Sequence, residues 1–103
     1  MLRPSTPPQA QRARNHRVQI EYCTGCRWLP RAAWLAQELL GSFETELAEV
    51  ALVPGTVAGV FIIRVDGQTV WDRRIQGFPE PAALKRVIRD LVAPGKDLGH
   101  VDR

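Results

Sequence analysis

Arg17-Val18-Gln19-Ile20-Glu21-Tyr22-Cys23-Thr24-Gly25-Cys26 is the stretch on which the fold turns. Val18, Ile20 and Tyr22 alternate with polar residues as in a half-buried strand, and a helical pattern takes over near Arg27. Two cysteines three residues apart therefore sit where a strand turns into a helix, the setting in which a Cys-x-x-Cys pair carries out thiol–disulfide chemistry. Residues at that spacing in a turn lie roughly 5 to 6 Å apart, inside the window a disulfide requires. A helix starting there directs its unpaired N–H groups and positive dipole end at the sulfurs. This favours thiolate and can bring a cysteine pKa from about 8.5 to roughly 3.5 to 7.5. Arg27 and Arg31 add positive charge.

Working outward, the first strand is expected over Arg17 to Tyr22 and the first helix from about Cys26 to Leu40. Leu29, Ala32, Ala33, Ala36, Leu39 and Leu40 recur at helical spacing, with Gly41 as C-cap. Pro30 conflicts with a helix that contains the Cys26 carbonyl four residues back, unless it falls in the first turn. A second strand is expected over Glu46 to Val53, ended by Pro54-Gly55, and a third over Val57 to Val65. Asp66-Gly67 marks a tight hairpin whose turn needs positive φ, leading into a fourth strand, Thr69 to Ile75. Pro81 suits the first turn of a second helix, whose apolar stripe is Leu84, Val87, Ile88, Leu91 and Val92.

The order βαβββα demands a parallel pair across the helical crossover and an antiparallel pair across the hairpin. The expected fold class is α/β: a four-stranded mixed sheet with two helices, the thioredoxin-like arrangement. It places Cys23 and Cys26 at the carboxyl end of strand one, where open α/β sheets usually meet ligands.

Residues 1–16 contain Pro4, Pro7, Pro8 and three arginines with almost nothing apolar, and read as a disordered tail preceding a single domain over residues 17–103. No apolar h-region follows the early positive charges, and no run approaches the roughly 20 apolar residues of a membrane span. A soluble, cytoplasmic protein is expected, with no membrane partner. In a reducing compartment two cysteines point to transient redox or metal chemistry rather than to a permanent staple. The net charge of +3 arises ahead of the first acidic residue, Glu21: Arg3, Arg12, Arg14 and Arg17 have no acidic counterpart there, while residues 18–103 hold ten Lys or Arg against eleven Asp or Glu. Such a nearly neutral domain lacks the basic surface of a nucleic-acid binder.

The chain from Tyr22 onward resembles the bacterial branch of the selenoprotein W/T/H, or Rdx, family. The resemblance rests on Tyr22-Cys23-Thr24-Gly25-Cys26 with Trp28, Arg31 through Leu40, Glu49-Val50-Ala51-Leu52 and Pro54-Gly55-Thr56. It continues through Gly59-Val60-Phe61, Trp71-Asp72-Arg73, Gly77-Phe78-Pro79-Glu80 and Leu98-Gly99-His100 with Asp102-Arg103, about eighty residues together. It implies a thioredoxin-like fold and a thiol oxidoreductase role in redox homeostasis, with glutathione or a thioredoxin-type protein as candidate redox partner and no bound cofactor. Where the family often has Gly-Gly before Phe-Pro, this chain has Gln76-Gly77. Ile62 stands where a carboxylate is common, and a proline at position 30 is seldom seen.

Cys23 and Cys26 are the candidate catalytic residues. Thr24, Gly25, Arg27, Trp28, Phe78 and Pro79 are candidate binding residues around them. In thioredoxin-type geometry the first cysteine is the more exposed and attacks. In selenocysteine-containing relatives the selenium matches Cys26, so the order of attack stays open. Trp28, Trp34, Trp71, Phe61 and Phe78 are expected in the core, with Trp28 or Phe78 also able to border the thiols. Pro54 is either an ordinary Pro-Gly turn residue or a counterpart of the thioredoxin cis proline. His16 belongs to the tail and His100 to the other end, neither with an expected role in proton transfer. Two alternatives to the oxidoreductase are kept. One is a binding module that senses oxidation. The other is zinc, which closes its structural sites with four ligands and finds no second Cys-x-x-Cys or paired-histidine motif here, leaving no metal ligands assigned.

Overall fold

The computed structural model describes residues 15–99. Strand β1 spans His16–Cys23, helix α1 Leu29–Ser42, β2 Leu47–Gly55, β3 Phe61–Val65, β4 Gln68–Asp72, a short helix α2 Arg73–Gln76, and α3 Pro81–Val92. The sheet order is β2-β1-β3-β4, with β1 parallel to β2 and antiparallel to β3, and β3 antiparallel to β4. The expected mixed sheet is present, with one helix more than expected.

The alternation in β1 fixes the layers. Val18, Ile20 and Tyr22 join Phe61, Ile63 and Val65 of β3 beneath Ala32, Leu35, Ala36 and Leu39 of α1 and Leu84 and Ile88 of α3, forming one core. Each such Leu, Ile or Phe contributes about 1.5–3 kcal/mol relative to exposure. Both long helices therefore cover one face of the sheet. The other face carries a diagonal cross-strand ion pair, Arg64 to Glu21, at 3.0 Å.

Helix α1 starts at Leu29, three residues beyond Cys26, because Pro30 then occupies the first turn and no longer opposes the Cys26 carbonyl. Arg27 interrupts the path with a left-handed φ of 59°. At its other end the helix continues through Gly41 to Ser42, and Phe43, fully buried, caps it by donating its N–H to the Leu39 carbonyl at 3.0 Å. Trp34 lies outside the core: the buried stripe Ala32, Leu35, Ala36, Leu39 leaves it 49% exposed.

Pro54 and Gly55 do not form the expected turn; they extend β2 opposite Tyr22 and Cys23. The strand is an edge, where a residue without an N–H is tolerated. No described peptide bond is cis, so Pro54 is no counterpart of a cis proline. Strand β3 begins at Phe61 because residues 57–60 turn first, Val60 donating its N–H to the Val57 carbonyl at 3.2 Å with Gly59 at φ 78°. Strand β4 stops at Asp72, whose side chain accepts from the Arg74 N–H at 3.0 Å and starts α2; Gly77, at φ 77°, ends it.

The hairpin has the expected positive φ at both Asp66 (51°) and Gly67 (84°). Asp66 also binds back to β1, accepting from His16 Nδ1 at 2.7 Å and from the Arg17 N–H at 2.9 Å. His16 is thus part of the sheet and not of the tail. The other tail residues, up to position 14, and His100 lie outside the described residues. The hydrogen bond from His16, then that from the Arg17 N–H, hold the Asp66 carboxyl below the usual carboxylate range. A lowered folded-state pKa contributes stability above the unfolded pKa that is lost as pH falls through the folded one. Urea midpoints followed from about pH 7 to about pH 2 should fall more steeply in the unaltered protein than in Asp66→Asn, which tolerates positive φ but cannot ionise. Parallel curves would show that the carboxylate carries no acid-sensitive stability.

Lys85, on the apolar side of α3, is 3% exposed; its ammonium donates to Glu38 on α1 at 2.9 Å. Helical spacing puts it in line with Ile88 and Val92, but its charge disguises it as a surface residue.

Candidate functional site: the disulfide turn

Residues 24–27 form a turn between β1 and α1, and neighbouring elements pin Cys23, just ahead of it, and Thr24, its first residue. The Cys23 N–H donates to the Val60 carbonyl at 2.8 Å. Thr24 donates to the Gly55 carbonyl twice, from its N–H at 3.4 Å and its hydroxyl at 3.2 Å. The Arg27 N–H closes the turn on the Thr24 carbonyl at 3.0 Å. This holds the Cα atoms of Cys23 and Cys26 5.3 Å apart, within the disulfide range, and the two sulfurs are bonded. Among the described residues no group of three or more His, Cys, Asp or Glu side chains converges.

The two cysteines differ in access. Cys23 still belongs to β1 and is 4% exposed; Cys26, in the turn, is partly exposed. This reverses the thioredoxin-type expectation that the first cysteine is the more open. Thiol–disulfide exchange needs approach to a sulfur, and Cys26 is the more exposed residue of the pair. The Cys26 N–H donates to Cys23 Sγ at 3.2 Å, so negative charge developing on Cys23 meets a hydrogen-bond donor. Because α1 starts beyond Cys26, this local N–H stands in for the helix terminus anticipated at the sulfurs.

Beside the turn, Trp28, Phe61 and Phe78 pack edge to face, with centroids 4.8 Å apart for Trp28–Phe78, 5.4 Å for Phe61–Phe78 and 6.2 Å for Trp28–Phe61. The Arg31 guanidinium lies 4.1 Å from the Phe78 ring centre, and that of Arg73 lies 5.1 Å from Trp28 and 5.6 Å from Phe78. Trp28 and Phe78, expected near the thiols, are brought together. Pro79 is buried. Gly25 is exposed in the turn, and a Cβ there would meet nothing within 4 Å.

Several site residues went unread in the sequence. Arg73 Nε donates to the Gly59 carbonyl at 3.0 Å and Arg74 Nη2 to the Ala58 carbonyl at 2.8 Å, so α2 clamps the loop whose Val60 carbonyl holds Cys23. Asp72 and Gly77, a capping residue and a terminating glycine five positions apart, were the available signal. Gly55 is packed so closely that a Cβ would lie 2.6 Å from Val60 Cγ1.

No described helix is long and apolar enough to cross a membrane. Among curated proteins none matches the chain. Solved structures are similar to this chain, among them the following two. A protein from Bordetella parapertussis is 55% identical over 75% of this chain and 98% of its own, with a TM-score of 0.72. A selenoprotein W-related protein from Vibrio cholerae is 45% identical over 74% of this chain and 95% of its own, with a TM-score of 0.71. The profile of the Rdx family matches residues 17–90, from the first strand through most of α3. With the disulfide turn, the thioredoxin-like sheet and this match in agreement, the chain belongs to the Rdx family.

Proposed function

We propose that this protein is a thiol–disulfide oxidoreductase of a reducing, cytoplasmic compartment, exchanging electrons with glutathione or a thioredoxin-type protein. The observation that carries the reading is the Cys23–Cys26 disulfide with unequal access to its two sides. A partner thiolate attacks Cys26 Sγ. The Cys23–Cys26 bond breaks, a partner–Cys26 disulfide forms, and Cys23 leaves as a thiolate beside the Cys26 N–H. A second partner thiol then displaces Cys26. Two electrons and two protons pass to the protein and a disulfide is left in the partner; the reverse sequence reduces a disulfide.

Equilibration in graded glutathione or dithiothreitol buffers, with the disulfide counted by mass after trapping of free thiols, should give a reversible midpoint between about −270 and −180 mV. Absence of a reversible transition, or stoichiometric zinc binding that blocks oxidation, would overturn it. Turnover with a glutathione or thioredoxin reducing system separates the oxidoreductase from a redox-sensing binding module, which would capture one partner on oxidation without turnover.

A further inference from the structure

We propose that the disulfide is presented to an acidic, extended polypeptide segment carrying the partner cysteine, which lies along α1 from the turn to Trp34. The proposal rests on the oxidoreductase reading and names its partner class.

An open groove of about 470 Å³ is lined by Arg27, Trp28, Pro30, Arg31 and Trp34. It starts at the disulfide turn, and the five helical steps from Leu29 to Trp34 advance about 7.5 Å along α1. That accommodates two to three extended residues beyond the reacting one, more than the single residue that flanks cysteine on either side in glutathione. Trp34 is 49% exposed, apolar surface that serves neither the core nor the disulfide. Exposed tryptophan beside arginine is the composition of interface anchors.

Charge selects the occupant. Among the described residues, Arg27, Arg31, Arg73 and Arg74 have no carboxylate within ion-pair distance; Arg31 and Arg73 lie over aromatic rings, and Arg73 and Arg74 bind carbonyls. Elsewhere Arg64, Lys85 and Lys96 each hold a glutamate. Arg17 at the start of β1 has no ion pair among the described residues either, but four such arginines lie on the disulfide turn or on elements packed beside it, and a groove of one sign raises the encounter rate of an oppositely charged partner by about 10- to 1,000-fold.

The test uses oxidised full-length protein and two capped pentapeptides, each a cysteine followed by a glycine, a leucine and two aspartates or two lysines. Mixed-disulfide formation at Cys26 is followed by quenching and mass, and each rate is divided by that peptide's rate with hydroxyethyl disulfide to remove differences in thiol pKa. The expected acidic-to-basic ratio is at least about tenfold at low salt and falls toward one at about 0.5 M salt. Trp34→Ala and Arg31→Glu should each lower it at least about threefold. A ratio near one, or a ratio that survives either substitution, overturns the groove as the docking site. So does glutathione reacting as fast as the acidic peptide, which would confine recognition to the turn. Absence of reaction even with dithiothreitol would strike the oxidoreductase reading itself, and this proposal with it.

Discussion

Cys23→Ser protein mixed with oxidised glutathione should accumulate a stable adduct on Cys26, while Cys26→Ser protein should react at least about tenfold more slowly and neither should turn over. The asymmetry follows from burial. Cys26 lies partly open in the turn, and Cys23 is 4% exposed within β1. With Cys23 replaced, no internal thiol remains to displace the glutathione. With Cys26 replaced, the remaining sulfur is reached only by opening the end of the strand. Both variants should keep the fold, because the disulfide closes a loop with a sequence separation of only 3 and contributes about 2 kcal/mol by chain-entropy reasoning. Cys23→Ser carries an added cost of about 1–3 kcal/mol from placing a hydroxyl in an apolar strand end. Limiting alkylation of the reduced, unaltered protein gives an independent reading: Cys26 should be modified first. Faster labelling of Cys23 would reverse the roles assigned to the two sulfurs.

What is legible in the sequence is whatever local pattern dictates. The period-two run Val18, Ile20, Tyr22 announced the central strand, Asp66-Gly67 announced a turn with two positive φ values, and Pro81 with Leu84 and Ile88 announced α3. The Cys-x-x-Cys spacing announced the disulfide. What was not legible depended on neighbours far along the chain. Pro54-Gly55 carries a turn signature, yet β1 draws both residues into the sheet as an edge strand. Trp34 has the hydrophobicity of a core residue, but the phase of the α1 stripe, set by contact with the sheet, turns it to solvent. The exposure order of the cysteines depends on where turn gives way to helix: Pro30 and the left-handed Arg27 move that boundary from about Cys26 to Leu29, three residues on, and leave Cys26 in the turn. Arg73 and Arg74 entered the site through a four-residue helix too short for periodicity to reveal.

Gly55→Ala should destabilise the protein by about 2–3 kcal/mol and make its disulfide easier to reduce. The added methyl would lie 2.6 Å from Val60 Cγ1, 3.0 Å from the Tyr22 carbonyl and 3.1 Å from Glu21 Oε2. Only the glutamate oxygen can swing away. Val60 is β-branched and 5% exposed, and the Tyr22 oxygen belongs to the central strand, so relief must come from displacing the end of β2 or the loop 57–60. These two segments hold the disulfide turn: the Gly55 carbonyl accepts both Thr24 donors, and the Val60 carbonyl accepts the Cys23 N–H. Loosening them lowers the effective concentration of one thiol at the other, which weakens the disulfide relative to the dithiol. The midpoint potential should become less negative by on the order of 20 mV for each kcal/mol of lost preorganisation. Gly25→Ala is the internal control. It sits in the same turn, a Cβ there meets nothing within 4 Å, and its effect on stability should stay within about 0.5 kcal/mol. Urea unfolding and redox titration of the two variants side by side would decide the matter. If Gly55→Ala matched Gly25→Ala in both, the close approach of β2 to the loop 57–60 would not be what holds the cysteines in register.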